Sequence, residues 1–156
     1  MLEIKTLSTE DARNVIDAVL EHVKKTNHRG IGIVVVDKYG AIIAGQRSSG
    51  MHPRYFDAAH RKAYSAAVME RDTSAVMEFW NGQQAAGMRG PSDWNDSMLT
   101  SLHGGICVTY KGEIVGGIGA AGGSGGDPSN NTSDWAFAEA GLAALGEGFT
   151  RGVRGR

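Results

Sequence analysis

The chain has one cysteine, three prolines and no apolar run approaching the length of a membrane span, and these scarcities bound it before any motif is read. Cys107 alone cannot build an internal disulfide framework, and a lone thiol fits a reducing compartment. A span of bilayer needs roughly 18 consecutive apolar residues. The early residues carry Glu3, Glu10 and Asp11 where a secretory signal would be basic and then apolar. The expectation is a cytoplasmic protein with no membrane partner. A charge excess is missing too: 16 basic residues stand against 17 acidic ones. That leaves no electrostatic footprint for nucleic acid. The basic cluster Arg151, Arg154 and Arg156 reads as a solvated end. Paired cysteines, a Walker lysine and any spaced metal-ligand signature are also lacking, so no metal is expected.

What is present is a folded composition and a glycine excess. At 156 residues with 41% hydrophobic and 21% charged side chains, the chain is expected to form a single domain over 1–156. Glycine supplies 23 residues, about twice the usual share. The excess concentrates between Gly104 and Gly126, which points to special backbone geometry or to the close approach of another group.

Ser8 is a helix N-cap with Asp11 as its capping-box partner. Ala12, Val15, Ile16, Val19, Leu20 and Val23 then recur at spacings of three and four, predicting a helix that ends near Asn27. Ile31 to Asp37 and Ala41 to Arg47 read as a β-hairpin turning at Lys38-Tyr39-Gly40, with Asp37 as a turn-capping carboxylate. A helix is expected from Asp57 to Glu70, with Ala59, Ala63, Ala66 and Ala67 lining one close-packing face. Thr73 to Trp80 suits a short helix and Asn81 to Trp94 an irregular loop. Gly105 to Tyr110 and Glu113 to Ala120 form a second hairpin. Ser133 or Thr132 then caps a last helix, which buries Trp135, Ala138, Leu142 and Leu145 and stops at Gly146 or Gly148. The order predicts an α+β domain with an antiparallel sheet flanked by helices.

Gly117 to Gly122 matches G-x-G-x-x-G literally, but it follows a late hairpin and no parallel strand comes after, so a dinucleotide site is not expected. Glycine there either presents backbone N–H groups to an anion, with Gly122 and Gly123 in the turn, or lets strand and helix pack closely. Arg47, His52, Arg54, Tyr55 and His60 form a second candidate group, with His60 expected on the first turn of its helix. His103 stands at the mouth of a strand, near a loop whose Trp80 and Trp94 are suited to covering a ligand. Cys107 reads as a buried small hydrophobe.

The succession VVVDKYGAIIAGQR, AAHRKAYSA, GGICVTYKGEIVGGIGAAGGSGG and DWAFAEAGLAAL resembles the GlcG/HbpS family, which also includes the C-terminal domain of PduO-type proteins. The resemblance runs from about Gly30 to Leu145. It implies a profilin-like antiparallel sheet flanked by helices and a homo-oligomer, from dimer to octamer. It also implies a small-molecule ligand, with haem or flavin as the possible cofactors. One branch of the family, the 4-hydroxylaminobenzoate lyases, is enzymatic. Cys107 replaces a usual proline, Pro128 to Thr132 is an insertion, and Ser48 and Ser49 replace a common acidic residue. These departures surround the presumed pocket and favour a specialised ligand over plain haem. The leading expectation is therefore a lyase of aromatic catabolism acting on a substituted aromatic acid. In it His52, His60 and His103 move protons. Arg47 or Arg54 holds the carboxylate, and Tyr55, Trp80, Trp94, Gly122 and Gly123 contact an aromatic ligand. The alternative is a non-catalytic haem-binding, flavin-binding or sensor protein.

Overall fold

The computed structural model describes residues 1–125, 127 and 129–152. Gly126, Pro128, Arg154 and Arg156, singled out above, lie outside the described residues. Ser8 and Asp11 cap each other as expected. Ser8 Oγ accepts the Asp11 N–H at 3.1 Å, and Asp11 Oδ2 accepts the Ser8 N–H at 2.8 Å. Helix α1 (Thr9–Lys25) follows. The first hairpin is β1 (Gly32–Asp37) and β2 (Ile42–Arg47). Asp37 Oδ1 closes its turn by accepting the N–H groups of Tyr39 and Ala41, at 2.8 and 3.0 Å.

Helix α2 (Arg54–Val68) begins three residues earlier than the sequence predicts. Pro53 is its N-cap and is already helical at φ −53°, so the ring fixes the entry and Arg54 starts the helix directly. His60 consequently sits in the second turn, not the first. Helix α3 (Thr73–Ala85) continues through residues expected to be loop, and α4 (Pro91–Trp94) adds one more turn. Only Thr73 and Val76 of α3 are buried, so this helix carries no apolar period for a sequence reading to find. The second hairpin, β3 (Gly105–Tyr110) and β4 (Glu113–Ala121), falls where expected. Ser133 Oγ caps α5 (Asp134–Ala143), accepting the Ala136 N–H at 3.1 Å. The chain then makes a short strand, β5 (Phe149–Arg151), where the sequence suggests a solvated end. Pairing with β3 and the ion pairs of Arg151 with Asp72, at 2.8 Å, and with Glu139 hold that segment in place.

The strands form one antiparallel sheet in the order β2-β1-β4-β3-β5. Alternation along β1 divides the core. Ile33 and Val35 point to the layer of α1 and α5, with Val15, Val19, Ile118 and Phe137. Val34 and Val36 point to α2, where they meet Ala59, Ala63 and Ala67. The result is a three-layer α+β domain. Fully buried Phe137 alone contributes about 1.5–3 kcal/mol of transfer free energy. No helix among the described residues is long and apolar enough to cross a membrane.

Helix α2 lies unusually close to the sheet. A Cβ on Gly119 would stand 2.0 Å from the Ala59 carbonyl oxygen, and one on Gly117 would stand 2.3 Å from that of Ala63. These two glycines of the G-x-G-x-x-G match therefore face a helix backbone. Of the two readings left open for them, close packing holds.

Candidate functional site

The close approach of α2 carries one charged side chain into the interior. Lys62 is only 4% exposed, yet it belongs to the alanine face of the helix. Its ammonium donates to the Ala120 carbonyl at 3.0 Å and to Asp134 Oδ2 at 2.8 Å. Asp134, the first residue of α5, uses its other oxygen to accept the Gly123 N–H at 2.8 Å. The Lys62–Asp134 pair thus ties α2, the end of β4 and the glycine turn together. A buried ion pair of this kind is tolerable because each partner also makes a further hydrogen bond, Lys62 to Ala120 and Asp134 to Gly123. The sequence reading missed Lys62 and Asp134. The available signal was a lysine set among Ala59, Ala63 and Ala66 at helical spacing.

Lys62 and Asp134 form part of the wall of a cleft of about 420 Å3, completed by Met77, Ser101, Leu102, His103 and Gly125. His103 is exposed at its mouth, and its ring lies 5.8 Å from that of Trp135. Of the five histidines, three are engaged in hydrogen bonds. His22 Nε2 lies 2.6 Å from the Asn131 carbonyl, His28 Nε2 lies 2.9 Å from that of Gly122, and His52 Nδ1 accepts the Arg54 N–H at 3.2 Å. Among the described residues, His60 and His103 make ring contacts only. His60 packs edge-on against Tyr64, whose hydroxyl donates to Asp96 at 2.7 Å, and that bond pushes the phenol pKa up.

The remaining candidates gather elsewhere. Tyr55, on the first turn of α2, accepts N–H bonds from Arg54 at 3.0 Å and Arg29 at 3.3 Å. The Arg54 guanidinium beside it lowers its phenol pKa, with Arg29 adding to the effect. Gly122, at φ +107°, lies under this ring: a Cβ there would stand 2.6 Å from Met51 Cε and 3.4 Å from Tyr55 Cδ1. Arg47 donates to the Met51 carbonyl. The glycine turn therefore bridges two neighbourhoods, with Gly122 beside Tyr55 and Gly125 beside His103. The two tryptophans belong to the α3–α4 segment: Trp80 packs its indole nitrogen on Gly90, and Trp94 donates to Gln83 at 2.7 Å. His52 bonds the Arg54 N–H, His60 packs on Tyr64 and His103 on Trp135. Cys107 is fully buried, and desolvation pushes its thiol pKa up to about 12, which leaves it an unreactive packing residue.

Comparison with known proteins places this arrangement. Residues 7–143 match the family model described as haem degrading protein HbpS-like. Protein GlcG of Escherichia coli K12 is 31% identical over 115 residues, covering 74% of this chain and 81% of its own. A double mutant of HbpS from Streptomyces reticuli superimposes with a TM-score of 0.76 at 32% identity, covering 94% of this chain and 92% of its own. A complex of PduOC with haem also gives a TM-score of 0.76, covering 96% and 99% of the two chains; at 21% identity it shows the shared fold.

Proposed function

Because the chain belongs to the HbpS-like family, we propose that it binds haem, with His103 offering the imidazole at the mouth of the Lys62–Asp134 cleft. The observation that carries this reading is the state of His103: exposed, beside a cleft, and free of hydrogen bonds among the described residues. Neutral imidazole is a common axial ligand for haem iron. The surroundings fit such a group. Met77 and Leu102 supply apolar wall for a planar macrocycle, and Leu102 is 61% exposed. The buried ammonium of Lys62 uses two of its three N–H donors on Ala120 and Asp134, so one is left for an acceptor at the cleft. Bound haem would bring an iron centre with redox and ligand-exchange chemistry. The chain's own residues bind and orient it.

The family description speaks of haem, and it favours this reading over the arylhydroxylamine lyase that the departures from the family pattern suggest. The test is a haemin titration followed at the Soret band. A saturable, shifted band is expected for the wild type, with weaker binding and a different band position for His103→Ala. An unshifted Soret band in the wild type, or one indifferent to His103→Ala, sinks the assignment.

A further inference from the structure

We propose that Arg29, Arg54 and Tyr55 form a binding site for a small oxyanion, a carboxylate or a phosphate, outside the His103 cleft. Two guanidinium groups from different parts of the chain converge on one phenol oxygen, at 3.0 Å from Arg54 and 3.3 Å from Arg29. Both also lie over the Tyr55 ring, with their central carbons 4.9 and 5.7 Å from its centroid. Each guanidinium has five N–H donors, and among the described residues each makes one hydrogen bond, to Tyr55. Among the described residues neither arginine is in an ion pair, whereas Arg89 and Arg151 are both paired with carboxylates.

The surroundings add charge of the same sign. Arg54 opens the fifteen-residue helix α2, whose N-terminal end is the positive pole of its dipole. Arg47, at the end of β2, donates to the Met51 carbonyl in the segment that leads into that helix. The one carboxylate in the first turn of α2, Asp57, is exposed and makes no ion pair with Arg54 among the described residues. Holding two like charges on one oxygen is unfavourable until an anion joins them. An oxyanion would accept from both guanidinium groups, and the Tyr55 hydroxyl, an acceptor in the free protein, would turn to donate to it. The chain's near-neutral charge, 16 basic against 17 acidic residues, argues for a small ligand over an extended polyanion.

The experiment uses protein carrying 13C at the tyrosine ζ carbon, with the Tyr55 resonance assigned from Tyr55→Phe. Potassium phosphate and potassium acetate are titrated separately against potassium chloride at matched ionic strength. A saturating shift of the Tyr55 resonance is expected with at least one of them, and the one that acts identifies the oxyanion class. Arg29→Ala and Arg54→Ala should each weaken that response about tenfold or more. Arg13→Ala, on the exposed side of α1, should leave it unchanged. Both site arginines are exposed, so their variants keep the fold, which the unfolding midpoint checks. A resonance that follows chloride as closely as phosphate and acetate overturns the proposal, and so does undiminished binding in both arginine variants. Neither arginine lines the His103 cleft, so the haemin result and this one fail independently.

Discussion

The two faces of the sheet are packed on opposite principles. Against α1 and α5 the strands present Ile33, Val35, Ile106 and Ile118, and the helices answer with Val15, Val19 and Phe137. Side chains fill that layer. Against α2 the strands present Gly117 and Gly119 beside Val34 and Val36, the helix presents alanine, and at the glycines the backbones themselves meet. A side-chain layer can repack around a lost methylene, whereas a backbone contact has nothing soft to yield. Gly117 and Gly119 thus belong to architecture, and the contact they permit sets a charged lysine of α2 against the end of β4.

The largest test of that contrast compares one carbon added with one removed. Gly119→Ala drives a methyl into the Ala59 carbonyl and should cost about 3 kcal/mol. Ile33→Val on the other face should cost about 1 kcal/mol. Urea denaturation of both measures the gap. Equal losses would mean that α2 shifts freely and that the two faces do not differ.

Next in size is Lys62→Met. Removing the ammonium leaves Asp134 with the Gly123 N–H as its remaining bond, so about 2 kcal/mol of stability should go. Adding Asp134→Asn to that variant should cost less than the two single losses together, because the second change removes a charge already stranded. Strict additivity by thermal unfolding would show that the pair is not coupled.

The smallest effect tests the seam between the faces. Asp72, at the start of α3, accepts the Cys107 N–H at 2.8 Å and pairs with Arg151, whose guanidinium lies 4.6 Å from the Trp135 ring centroid. Burial pushes the Asp72 carboxyl above its ordinary value, outweighing Arg151 and the Cys107 amide. A raised folded-state pKa favours the protonated form, so this contribution is fully present below the unfolded value and fades as pH rises through the folded one. The stability difference between wild type and Asp72→Asn should therefore shrink as pH climbs just above the ordinary carboxylate range. A difference that grows with pH there would reverse the balance assigned to burial and Arg151.

Much of this framework is legible in the sequence because it depends on local signals. The β-branched run before Asp37, the Lys111-Gly112 turn and the Ser8–Asp11 box each declare themselves within a few residues, and the second hairpin falls where they place it. The rest depends on tertiary partners. Residues of β5 become a strand through Thr109, which pairs with Thr150. The full length of α3 is hidden because almost none of it is buried. For the site, His103 stands out by its place before two glycines, but its cleft does not. Lys62 and Asp134 are 72 residues apart in the chain, and only the approach of α2 to β4 joins them. Arg29 and Arg54 are likewise brought together by a single tyrosine.

The backbone contact between α2 and the sheet also bears on binding. A helix seated on Gly117 and Gly119 has no room to slide or roll, so Lys62 keeps its position whether or not a ligand is present. Met77 and residues 101–103 also line the cleft, and Leu102 and His103 are exposed there. If the cleft takes haem as proposed, its Lys62 side is already ordered by that backbone contact, and a guest's arrival costs little further ordering there.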